Sequence, residues 1–200
     1  MKIFQLTRKI LPALAAAVVL GTLGAATAHA HVLSATAASW LGSLAHPFTG
    51  LDHVLAMVAV GLWAARLERR AAWLLPLAFP LLMAGGAVLA ASGLTVPGVA
   101  AATASSVMVL GLLVAVAARP SVAVAAAVVG FFALFHGHAH GTELAMTAAP
   151  WLHGAGLLIA TALLHGIGLA LGSAAGPPMV RVAGAAVSSA GFVILAGAWI

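Results

Sequence analysis

Cysteine is absent from these 200 residues, and only Asp52, Glu68 and Glu143 carry a carboxylate. The first absence removes disulfides, iron–sulfur clusters, thiolate zinc sites and cysteine nucleophiles together. Charge is scarce as well: charged residues make up 6% of the chain and hydrophobic ones 64%, for a mean hydropathy of +1.20. A soluble domain of this size has no means of hiding so much apolar surface. The composition implies an all-α, polytopic membrane protein. The short alternating segments of a membrane β-barrel are missing. No G-x-x-x-x-G-K pattern occurs, so the chain carries no ATP-binding motif of that kind. The formal net charge of +5 comes from few basic residues, placed at helix ends. They report topology and argue against nucleic acid as a partner.

Residues 1–30 read as a cleaved signal peptide: Lys2, Arg8 and Lys9, an apolar stretch, then Ala28-His29-Ala30 as the small-x-small ending. The mature domain, 31–200, would begin at His31 in the periplasm. Hydropathy and punctuation then predict six transmembrane helices, at about 47–65, 73–91, 98–118, 121–140, 150–171 and 179–200. With the mature N-terminus outside, Arg66, Arg69, Arg70, Arg119 and Arg181 all fall in cytoplasmic loops, as the positive-inside rule requires. The expected location is the bacterial inner membrane, crossed several times, with the lipid bilayer as a partner. Small-x-x-x-small pairs at Gly137/Gly141, Gly168/Gly172 and Gly172/Gly176 predict close helix approach, and permit a homo-oligomer equally well.

On this topology eight of the nine histidines lie on the periplasmic side. Ionisable residues kept in apolar helices mark function. Imidazole and carboxylate without thiolate form the ligand set of a borderline divalent metal ion. His46 and His53, seven apart, would share one face of a helix reaching both, with Asp52 on the flank as ligand or second-shell acceptor. Thr49-x-x-Asp52 also has the form of a capping box. In the second cluster His136, His140 and Glu143 follow i, i+4, i+7 along one stripe, and two histidines at i, i+4 can chelate one ion. His138 points nearly opposite, toward a second ion or an entrance. His153 opens the fifth helix on the same side, and His165 lies three turns deeper in it. A cleaved N-terminal His31 would add an α-amine and an imidazole.

His46-Pro47-Phe48-Thr49-Gly50-Leu51-Asp52-His53, followed by Leu55-Ala56-Met57 and Gly61, resembles the signature of the HupE/UreJ proteins. Phe135-His136-Gly137-His138-Ala139-His140-Gly141-Thr142-Glu143 is similar to their second motif, with His138 standing where another residue is more usual. The resemblance implies a nickel permease linked indirectly to hydrogenase or urease maturation. It also implies His46, Asp52, His53, His136, His140 and Glu143 as the functional positions. Ligand chemistry alone leaves cobalt and zinc open beside nickel. The metal is then cargo, with no permanently bound cofactor expected and no enzymatic activity. Other readings of the same residues are an intramembrane metal-dependent hydrolase with Glu143 as general base, a haem protein ligated by His53 and His165, and a non-transporting metallochaperone.

Overall fold

The structure, a computed structural model, describes residues 40–144 and 149–197. The proposed signal peptide and His31 lie outside them. Every regular element among the described residues is a helix: α1 Trp40–Thr49, α2 Leu51–Ala64, α3 Ala71–Ala91, α4 Val99–Ala115, α5 Val122–Leu144, α6 Pro150–Ala174 and α7 Pro177–Gly197. Four of them, α3, α5, α6 and α7, are long and apolar enough to cross a membrane, and α1 with α2 would make a fifth span if taken together. This is a multi-pass membrane protein.

Helices α2 to α7 correspond to the six segments expected, with one correction at the start. The chain is not a single helix from 47 onward: α1 precedes Gly50, α2 follows it, and the two axes bend by 85°. Gly50 is extended, at φ −93° and ψ 111°, and caps α2 without a side-chain bond. The Thr49 hydroxyl donates back to the His46 carbonyl, so the capping box does not form. His46 and His53 therefore do not share a helix face.

The helices assemble as three intimate pairs: α2 with α6, α3 with α5, and α4 with α7. Each is seamed by glycine. A Cβ on Gly61 would collide with the His165 carbonyl oxygen, and one on Gly168 with that of Val58. Gly137 lies equally tight on the Met83 carbonyl, and Gly141 on Ala87. Gly111, Gly184 and Gly191 form the α4·α7 seam against Ser188, Ala115 and Met108. Only hydrogen fits at these positions, so the backbones gain the contact that drives association where no hydrophobic force is available. The registers make α2·α6 and α3·α5 parallel and α4·α7 antiparallel. Gly176, expected in a seam, meets only the Pro178 ring at 3.9 Å.

The ends of the helices separate by chemistry. Arg66, Arg69 and Arg70 follow α2, Arg119 follows α4, and Arg181 in the first turn of α7 donates Nε–H to the Ala115 carbonyl at 2.9 Å. The start of α2, the end of α5 and the start of α6, where the histidines stand, form the opposite end. Trp63, fully buried, reaches from the foot of α2 to the Ala118 carbonyl at 3.0 Å.

Candidate metal site

Five imidazoles from four helices converge at the histidine end. His53 on α2 lies 5.0 Å, centroid to centroid, from His136 and 4.6 Å from His140, both on α5. His46 on α1 lies 5.3 Å from His140 and 6.1 Å from His153 on α6. The bend at Gly50 thus turns α1 over the bundle, and His46 meets His53's partner from above instead of along a shared helix. Gly156 permits this lid: a Cβ there would stand 2.9 Å from the Ser43 Cβ of α1.

Neighbouring side chains fix which nitrogen of His53 and of His136 faces the cluster. Asp52 Oδ1 accepts from His53 Nδ1–H at 2.8 Å. A neutral His53 then carries its lone pair on Nε2, which is buried and has no hydrogen-bond partner. Gly50 leaves room for this pairing, because its Cβ would stand 2.9 Å from His53 Nδ1 and 3.0 Å from Asp52 Oδ1. His136 is set from the other side. The Ser106 hydroxyl on α4 spends its one proton on the Thr103 carbonyl at 2.6 Å, so at 2.8 Å it can only accept from His136 Nε2–H. The His136 lone pair is consequently on Nδ1, also buried and without a hydrogen-bond partner. On α6, His153 Nδ1 pairs with the Ser43 hydroxyl at 2.7 Å. An outer acceptor that fixes the tautomer and aim of an imidazole is the usual support of a metal-ligating histidine.

Among the described residues no group of three or more His, Asp or Glu side chains is arranged to hold an ion as it stands. The rings are gathered and aimed, yet the final closure of ligands around an ion is not built in. His138 and His165, also predicted from the sequence, lie outside this gathering, and the Glu143 side chain is not among the described parts. His138 faces away, and its Nε2–H donates to the Leu94 carbonyl at 2.8 Å, tying the end of α3 to α5. Glu143 lies in the last turn of α5. His165, fully buried, stands apart from the five, separated from His136 by the ring of Phe79. A cavity of about 610 Å³ between α3, α5 and α6 touches His140 alone of the histidines and is otherwise lined by apolar residues such as Met83, Ala87, Trp151 and Leu157.

The family model described as HupE / UreJ protein matches residues 17–194. The chain belongs to the HupE / UreJ family. Protein HupE of Rhizobium leguminosarum bv. viciae is 49% identical over 174 residues, covering 85% of this chain and 91% of that protein. No solved structure matches this HupE / UreJ chain. Three contributors to the site had no motif to announce them: Ser43, Ser106 and Phe79. The serines carried a signal, since hydroxyls in an apolar helix need partners. Phe79 carried none beyond lying one turn before Met83.

Proposed function

We propose that this chain is a permease for a divalent transition-metal ion, nickel in the first instance, moving it from the periplasm across the bacterial inner membrane. The cargo would supply hydrogenase or urease maturation, as the resemblance to the HupE/UreJ signature implies. The observation that carries the reading is the convergence of His46, His53, His136, His140 and His153 at one end of the bundle, with bare nitrogens on His53 and His136. Imidazole suits nickel, cobalt and zinc. Thiolate is absent, which favours release over storage. Asp52 and Ser106 act as orienting acceptors, while Glu143, next along the α5 stripe, is a further ligand in this proposal.

In the same proposal six spans cross the membrane, the α1–α2 pair counting as one, and the histidine end faces the periplasm. With no ATP-binding motif, flux runs down the metal gradient as facilitated diffusion, sustained by trapping in the cytoplasm. The deciding experiment is radiolabelled nickel uptake into cells expressing the chain, with cobalt and zinc as competitors. His53→Ala and His140→Ala should abolish uptake while the protein still reaches the membrane. Uptake unchanged in both variants refutes the ligand assignment.

A further inference from the structure

Below the five clustered histidines one more buried imidazole has no partner. His165 on α6 has no solvent exposure, and neither ring nitrogen makes a hydrogen bond. Leaving both polar atoms of a fully buried ring unsatisfied is costly unless something else uses them. Phe79 of α3 stands between this ring and the upper cluster, 5.5 Å from His136 and 5.1 Å from His165 by ring centroids.

The surroundings of His165 supply further donors. Pro80 has no N–H to offer the carbonyl four residues back, that of Pro76. That freed Pro76 oxygen lies one turn before Phe79, whose ring touches His165. One turn before His165 on the same face, the buried Thr161 hydroxyl points at the Met83 sulfur at 3.9 Å. Thr161 and Met83 lie nearer the histidine end than His165 does, since Gly137, next to His136, packs on the Met83 carbonyl. The Gly61–Gly168 seam holds α2 against the His165 backbone.

We propose that His165, with the Pro76 carbonyl, forms a second and inner metal-binding station, reached from the outer histidines past Phe79, with Thr161 and Met83 lining the approach to it. The inference rests on the permease reading and deepens it. An ion leaves the His53/His136 nitrogens, passes the Phe79 ring, and is received by His165 before release toward the arginine end. The donors are neutral and mixed, so binding there is weaker than at an all-histidine site and allows onward release.

The test uses the full chain, purified and reconstituted into lipid vesicles with radiolabelled nickel. His165→Gln should lower flux by about tenfold or more, while the purified protein keeps its outer binding and holds one ion fewer per chain at saturation. His165→Cys gives this cysteine-free chain its only thiol. Added cadmium should then produce a thiolate-to-metal charge-transfer band, even with His53→Ala present. A His165→Gln protein with wild-type flux and wild-type stoichiometry overturns the inner station. So does a His165→Cys protein without the cadmium band whose thiol is counted after denaturation. If the band appears but wild-type vesicles carry no nickel, the station stands and the transport reading falls.

Discussion

At the scale of single residues, the site depends on hydroxyls and a carboxylate that never need to touch an ion. Ser106 is the clearest case, because its proton is already committed to Thr103 and it can only accept from His136. Ser106→Ala keeps the volume nearly constant but leaves His136 Nε2–H unpartnered in a buried position. Loss of one buried partner costs about 1–3 kcal/mol, and loss of an orienting contact typically weakens metal binding about 10–100-fold. Nickel affinity of the purified Ser106→Ala protein should fall within that range, while Ser105→Ala, whose hydroxyl bonds only Ala101, should leave affinity unchanged. Equal effects from both would remove Ser106 from the site. A pH dependence follows from histidine ligation itself, because a protonated imidazole has no lone pair to offer a metal. Nickel uptake should therefore fall as external pH is lowered and recover as it is raised, and uptake that rises on acidification would contradict histidine ligation. The histidine stripe on α5 was legible from spacing alone. Ser43 and Ser106 were not, since their partners lie 110 and 30 residues away along the chain and are brought close only by packing.

At the scale of elements, glycine decides which helices pair, and the sequence disclosed only part of that. The Gly137/Gly141 and Gly168/Gly172 pairs were readable as small-residue faces. Gly61, Gly86 and Gly111 are followed four residues on by Ala65, Ala90 and Ala115 on the same seams, pairs that were not among the small-residue faces read from the sequence, so their role emerges only against the facing helix. Gly184 offers a test away from the histidines. A Cβ there would stand 2.5 Å from the Ala115 nitrogen and 2.8 Å from the Gly111 oxygen. Backbone cannot yield cheaply, so Gly184→Val should destabilise the protein by about 1–3 kcal/mol or more, seen as a lower melting temperature in detergent. Gly166→Ala is the control, because its Cβ would meet nothing within 4 Å, and its melting temperature should not fall. A second element is strained: Ala117 ends α4 at φ 52°, with Ala118 N–H bonded back to the Leu113 carbonyl. The left-handed conformation costs a non-glycine residue about 1–2 kcal/mol. Ala117→Gly should recover up to about that much, and a lower melting temperature would contradict the assignment. Helix existence and order were readable from hydropathy. The break at Gly50 was hidden because Pro47 and Thr49 look like an ordinary helix start.

At the scale of the whole molecule, the two ends of the bundle carry opposite chemistry, and that asymmetry is what the proposed orientation rests on. Arg66, Arg69, Arg70, Arg119 and Arg181 stand at one end, and the five gathered histidines at the other. Basic residues flanking spans are retained on the cytoplasmic side, so the gathered imidazoles should open to the periplasm, where an incoming ion first arrives. The parallel α2·α6 and α3·α5 pairs make this orientation self-consistent. Parallel partners must be separated in sequence by an odd number of returning helices, as each pair is, and in the proposed topology the bent α1–α2 unit counts as a single crossing. Crossing by itself is closed to α1, whose 10 residues span about 15 Å against about 30 Å of hydrocarbon, and its His46 and Ser43 meet His140 and His153 at the histidine end. Alkaline phosphatase fused after Ile200 should therefore be active, and the same enzyme inserted between Arg66 and Arg70 should be inactive. The reverse pattern would invert the bundle, placing the histidines in the cytoplasm and turning an uptake path into one whose first encounter with metal is from inside.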